Sequence, residues 1–148
     1  MKNGDNGMLN IKVIILAGGR ATRLPNSAKD IPKSLVQVLG KPILIHQIEM
    51  LKKRGLSDIR FSLGHKSDQI VDYLTKVGEK CEYVIEKEPL GTGGAIKYAS
   101  RDLNDDFLVI NGDVISDLDF ENFLKFHQES KEKEKLPYLN SIALCWQD

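Results

Sequence analysis

A chain of 148 residues with 21 Lys and Arg against 21 Asp and Glu has no net charge, so no overall field draws it to nucleic acid or to an acidic membrane surface. Its 41% hydrophobic and 28% charged content is ordinary for a globular chain, long enough for one domain with a real core. Two cysteines, Cys81 and Cys145, lack CxxC or Cys/His spacing, which disfavours a structural metal or disulfide framework and favours buried, reduced thiols.

Residues 1–10, MKNGDNGMLN, are polar and glycine-rich. They form the expected flexible extension, unlike a signal peptide or anchor, with Met8 an alternative start. No apolar run reaches the length of a membrane span, so the expected location is cytoplasmic. The remaining residues, 11–148, are expected to form one domain.

Residues 13–16 (VIIL) are continuously apolar, the pattern of a strand covered on both faces. A long polar loop and a short apolar stretch, 35–38, lead to Gly40. Pro42 suits the first turn of a helix whose Leu44, Ile48 and Leu51 share a face and which stops at Gly55. Residues 59–63 read as a strand. Ser67 is placed to cap a helix carrying Ile70, Leu74 and Val77 on one face and ending at Gly78.

Residues 82–85 read as a third strand, 86–94 as a turn-rich loop, and 95–100 as a short helix. The run 107–110 (FLVI) is expected to be a central strand. Asp119 is a candidate cap for a helix bearing Phe120, Phe123 and Leu124; 130–137 (SKEKEKLP) suggests a solvated charge run or a linker, and 139–145 a last strand. Alternating strands and helices predict an α/β fold, a doubly wound and mostly parallel sheet with helices on both faces. Ligands of such sheets bind beyond the carboxyl ends of the strands, so the loops 17–33, 86–94 and 111–117 should converge on one crevice.

Chemistry concentrates in the first of these loops. Gly18 and Gly19 follow a buried strand, where amides without side chains can approach phosphate oxygens closely. A glycine pair alone reads equally as a tight turn, and there is neither a Walker A sequence nor a complete GxGxxG. Arg23 and Lys33 in the same loop add a rigid fork and a point charge suited to a polyphosphate, and Pro32 stiffens the approach to Lys33. Asp113, in Asn-Gly-Asp after a strand, suits either a metal ligand or turn chemistry. His46, His65 and His127 read as structural or exposed, His65 alone standing near a strand end that faces the crevice.

Taken together, LAGG-x-x-TRL at 16–24, PKSLVQVLGKPIL at 32–44, EPLGTGGA at 88–95 and NGD at 111–113 resemble, in order, the motifs of the sugar-phosphate nucleotidyltransferases, the nucleoside-diphosphate-sugar pyrophosphorylases. The resemblance runs from residue 13 onward, and EKEPLGTGGAIKYA is most similar to guanylyltransferases for mannose 1-phosphate or a heptose 1-phosphate. It implies a Rossmann-like nucleotidyltransferase fold, incomplete at the C-terminal end. It also implies transfer of NMP from an NTP, with GTP favoured, to a sugar 1-phosphate, releasing pyrophosphate.

Carried onto this chain, the resemblance gives Leu16, Ala17, Gly18 and Gly19 to the nucleotide, Arg23 to the departing β and γ phosphates, and Lys33 to the reacting α-phosphate. Pro89, Gly91 and Thr92 would lie against base and ribose, with a side chain on Gly91 obstructing them. Asp113 would hold Mg2+. Glu86 matches a base-reading position at which many uridine- or thymidine-using members carry Gln. A carboxylate only accepts, which suits the paired N1–H and 2-amino donors of guanine. By analogy with bidentate base contacts the preference is worth roughly 1–3 kcal/mol; the alternative for Glu86 is a solvated strand-end residue.

Two departures from the family pattern stand out. Ala21 occupies a position usually held by Gly, at a cost of about 1 kcal/mol if positive φ is required there. The chain also ends where relatives are expected to continue into sugar-binding residues and a second aspartate, as expected of a fragment or of a short form with compromised activity. An unfinished sheet edge would invite pairing with another copy, making a homo-oligomer an expected partner beside the two substrates. The rival readings are a non-catalytic nucleotide-binding or regulatory module and a nucleotide-sugar glycosyltransferase. For the latter, Asp117 and Asp119 formally supply an Asp-x-Asp, although turn and cap roles suit them better.

Overall fold

A computed structural model of the chain describes residues 11–19, 31–135 and 140–143. In order, the elements are β1 (Lys12–Ala17), a 3-10 turn (Lys33–Leu35), a short hairpin of β2 (Gln37–Val38) and β3 (Lys41–Pro42), α1 (Ile43–Lys53), β4 (Ile59–Leu63), α2 (Ser67–Lys76), β5 (Glu82–Ile85), α3 (Gly91–Ala99), β6 (Phe107–Asn111) and α4 (Phe120–Glu134). The main sheet has the order β5-β4-β1-β6, and all its pairings are parallel. Val13 lies opposite both Ile59 and Leu108, and Leu16 opposite Ser62 and Asn111. Two compact units divide the chain, residues up to Ile115 and residues from Ser116 onward. The sheet and helices α1 to α3 belong to the first unit; α4 belongs to the second.

Successive strand side chains point to opposite faces. Val13, Ile14 and Ile15 are all 0% exposed, and β4 is buried along its whole length, so both sheet faces are covered. The chain steps outward from β1 through α1 to β4 and through α2 to β5, then returns through α3 to β6 on the far side of β1. Right-handed crossovers place α1 and α2 on one face and α3 on the other, where α3 packs on β1 and β4. The core is built from Leu44, Ile48 and Leu51 of α1, Phe61 and Leu63 of β4 and Ile70 of α2, all fully buried. Each such side chain is worth about 1.5–3 kcal/mol of transfer free energy.

Several expectations need correction. Among the described residues β6 lies at the edge of this sheet, with Val109 and Ile110 only half-buried; an apolar run shows that faces are covered but not which neighbours a strand has. Helix α3 starts at Gly91 and not near Ala95, taking in the glycine-rich segment. Lys66, in a left-handed conformation, precedes α2 where a Ser67 cap was expected, and Val77 lies beyond the helix at 45% exposure. Pro42 stands just before α1 with φ −57°, one residue ahead of its first turn.

The charged segment up to Glu134 is the end of α4 and no linker, as Lys and Glu are good helix formers. Residues 140–143 form no strand, and the rest of 139–145, including Cys145, lies outside the described residues, as do residues 1–10. Asp119 does cap α4, accepting from the Asn122 N–H at 3.0 Å. Among the described residues no helix is long and apolar enough to cross a membrane.

Arg60, 8% exposed near the start of β4, shows how a charge is tolerated in this sheet. Its guanidinium donates to both Asp102 oxygens at 2.6 and 2.9 Å, to Glu82 Oε2 at 2.9 Å and to the Ala99 carbonyl at 2.7 Å. Lys12 also donates to Glu82, at 3.0 Å. Lys12 and Arg60 hold the Glu82 carboxyl below its ordinary range, and Arg60 does the same for Asp102. Both carboxyls thus bind protons less readily folded than unfolded. Their stabilisation is present above the unfolded range near about pH 4 and is lost as pH falls through the lowered folded values. Thermal melts should therefore show Asp102→Asn below the parent protein at pH 7, with the gap closing below about pH 4. Parallel curves throughout that range would contradict this.

Candidate functional site

The carboxyl ends of the strands meet a pocket of about 550 Å³, well within the roughly 300–1,000 Å³ usual for small-molecule sites. It sits at the reversal of strand order between β1 and β6, the place where open parallel sheets bind ligands. Its wall includes Leu16, Ala17, Gly18 and Gly19 from the end of β1, Lys33 and Ser34 from the 3-10 turn, and Gly64 and His65 after β4. Glu86 to Pro89 come from the β5–α3 connection, Gly91, Thr92 and Ala95 from the first turns of α3, and Asn111, Gly112 and Asp113 from the end of β6. Described residues of all three loops singled out in the sequence line this one pocket. Every sequence-predicted site residue except Arg23 is among them; Arg23 and Ala21 lie outside the described residues.

Close backbone approach explains two of the glycines. A Cβ on Gly112 would stand 2.6 Å from the Leu16 carbonyl oxygen, and one on Gly64 would stand 2.8 Å from that of Gly18. Strand ends that must lie this near one another leave no room for a side chain. At Gly91 a Cβ would meet none of the described residues within 4 Å, but its φ of +68° lies in the left-handed region, where a side chain is strained.

Glu86 is no freely solvated strand end. Its own N–H donates to the Leu63 carbonyl at 2.8 Å, the Ser62 hydroxyl donates to Oε1 at 2.9 Å, and the Leu90 N–H donates to Oε2 at 3.3 Å. Lys33 and Asp113, 80 residues apart in sequence, form an ion pair within the pocket. Behind them Gln47 of α1, fully buried, donates to the carbonyls of Asn111 at 2.8 Å and Val114 at 2.6 Å. It thereby clamps the turn that carries Asp113. Neither Gln47 nor Ser62 stood out in the sequence. A polar residue among apolar neighbours, as in the Phe61-Ser62-Leu63 run of a buried strand, was the available signal.

No group of three or more His, Cys, Asp and Glu side chains among the described residues could hold a metal by itself. A single carboxylate beside a lysine fits Mg2+ delivered on a polyphosphate, because that ion keeps water and substrate oxygens as most of its ligands. It does not fit a resident ion caged by protein.

The other histidines behave as read: His46 Nε2 contacts the Val38 carbonyl at 2.7 Å and His127 Nδ1 the Ser141 hydroxyl at 3.0 Å, while His65 lines the pocket. Cys81 is a half-buried free thiol whose pKa burial and nearby Glu79 push up.

Residues 12–140 match the family model described as nucleotidyl transferase. The chain belongs to this family. As a nucleotidyl transferase it is 38% identical over 126 residues to the mannose-1-phosphate guanyltransferase of Aspergillus oryzae, covering 80% of this chain and 35% of that protein. It is 41% identical over 111 residues to the D-glycero-alpha-D-manno-heptose 1-phosphate guanylyltransferase of Campylobacter jejuni, covering 74% of this chain and 50% of that one. The solved structure of HddC from Yersinia pseudotuberculosis complexed with GMP-PN superposes with a TM-score of 0.72 at 43% identity, over 78% of this chain and 53% of the other. The nucleotidyl transferase chain thus spans about half or less of the length of these relatives.

Proposed function

We propose that this chain is the nucleotide-binding portion of a sugar-1-phosphate guanylyltransferase, joining GMP from GTP to a sugar 1-phosphate and releasing pyrophosphate. The observation that carries the proposal is the convergence of the Gly18–Gly19 backbone, the anchored Glu86 carboxylate and the Lys33–Asp113 pair in one pocket. Similarity to two guanylyltransferases and to HddC, solved in complex with GMP-PN, supports guanine as the base.

In this reading the amides of Leu16 to Gly19 cradle the phosphates. Glu86 accepts from guanine N1–H and the 2-amino group, whereas a uracil edge would set its two acceptor oxygens against the carboxylate. Pro89, Gly91 and Thr92 hold base and ribose. The sugar phosphate is already an anion at neutral pH, so its oxygen attacks the α-phosphorus with no general base. The bond to the pyrophosphate oxygen breaks in line.

Lys33 leaves Asp113 to neutralise the α-phosphate oxygens, and Arg23 receives the charge of the departing β and γ phosphates. Asp113 would hold Mg2+ carried in by the triphosphate, an ion that supplies charge neutralisation for the two polyanions.

A pyrophosphate-release assay tests the reaction. With Mg·GTP and a panel of hexose and heptose 1-phosphates, release is expected only when both substrates are present. Saturable GTP binding without release would instead favour the non-catalytic nucleotide-binding module.

A further inference from the structure

Glu86 does not reach the pocket unsupported; it is seated. Ser62, on the adjoining strand β4, is 0% exposed and donates its hydroxyl to Glu86 Oε1 at 2.9 Å. From the other side the Leu90 N–H donates to Oε2 at 3.3 Å. The wall opposite is Gly18, where an added Cβ would come within 3.0 Å of Oε1. Two donors, one on each oxygen, fix both the position and the plane of the carboxylate. A carboxylate oxygen accepts about two hydrogen bonds, so each retains acceptor capacity for the pocket that Glu86 lines. Two adjacent acceptors held in a fixed plane are what the paired donors of guanine require.

We infer that Ser62 is a positioning residue for base selection: its buried hydroxyl orients the Glu86 carboxylate toward the N1–H and 2-amino donors of a guanine nucleotide. This rests on the proposed assignment of Glu86 as the base reader. Ser62 makes no contact with the nucleotide itself. Without its hydroxyl, Glu86 would rotate about its side-chain torsions and its two acceptors would no longer be in register with two donors. Discrimination would fall further than overall affinity, because the phosphate contacts are unchanged.

The test is calorimetric titration of Mg·GTP and Mg·ITP, which differ only in the 2-amino group. It is run on the parent chain, Ser62→Ala, Glu86→Gln and the double variant. The parent is expected to favour GTP by about tenfold. Ser62→Ala should lose most of that ratio, and the double variant should be no worse than Glu86→Gln alone, since the hydroxyl acts only through that carboxylate. Should Ser62→Ala fail to fold, Ser62→Cys, close in size and a weaker donor, is expected to give an intermediate ratio.

A parental ratio in Ser62→Ala, with the ratio lost in Glu86→Gln, would overturn the role of Ser62 and leave Glu86 as base reader. Equal binding of GTP and ITP by the parent chain, or binding of neither, would overturn the Glu86 assignment and the inference built on it.

Discussion

Lys33→Ala is expected to slow pyrophosphate release by about a hundredfold to a thousandfold, the cost of removing one preorganised charge partner from a developing oxyanion, or about 2.7–4 kcal/mol. The lysine sits at the start of the 3-10 turn with its side chain already inside the pocket, paired to Asp113. Pro32 before it is extended at φ −55°, ψ 141° and buried, so the backbone presenting the ammonium is stiff. Binding of Mg·GTP should weaken less than turnover, because Lys33 acts most strongly on charge that develops at the α-phosphate. Lys33→Arg should not restore the rate, since a planar fork replaces a compact point charge. Equal loss of affinity and rate would instead make Lys33 a ground-state phosphate contact.

Gly112→Ala is expected to be the most damaging single-methyl change in the site. The new Cβ would stand 2.6 Å from the Leu16 carbonyl oxygen and 3.1 Å from the Ala17 Cα, all backbone neighbours with no flexible side chain to move aside. It would also force open the hydrogen bond that the Gly112 N–H makes to the same Leu16 carbonyl at 2.8 Å. Overpacking of this kind costs about 1–3 kcal/mol, with the backbone clash placing it at the upper end. For a chain of this size that corresponds to a fall in melting temperature of about 10 °C. Gly19→Ala is the control, as a Cβ there meets nothing within 4 Å among the described residues. It should melt within about 2 °C of the parent, an open position costing well under 1 kcal/mol. Equal melting of the Gly112 and Gly19 variants would show that the strand ends have slack.

The parts of this fold that were legible in the sequence are those dictated by burial and by backbone geometry. The VIIL run had to be covered on both faces, and β1 is. The alternation of strands and helices fixed a parallel sheet, and with it the end of the sheet where loops meet. Less legible was whatever depends on neighbours. The run FLVI is apolar whether it lies second from an edge or at one, and among the described residues β6 lies at the edge.

The glycine-rich 91–94 segment reads as a loop because glycine is a poor helix former, yet α3 begins there with Gly91 at positive φ. The Lys-Glu run reads as solvated, which it is, but solvation does not preclude a helix.

In the site, Gly18, Gly19, Lys33 and Asp113 were legible from residue types unusual in loops that follow buried strands, and Glu86 only through the resemblance to the nucleotidyltransferase motifs. Ser62 and Gln47 were not, because their hydrogen bonds go to residues distant in sequence. Their burial is what marks them: the Ser62 hydroxyl is bonded to the Glu86 carboxylate, and the Gln47 amide N–H to the turn that bears Asp113.

Calorimetric titration of Mg·GTP and Mg·UTP into this chain, with Lys33→Ala and Arg23→Ala as controls, tests the central claim most directly. The expected result is saturable GTP binding, tighter than UTP by about tenfold and weakened in both variants. If a demonstrably folded sample binds neither nucleotide, or both equally with no effect of either substitution, the pocket is not the guanine nucleotide site described above.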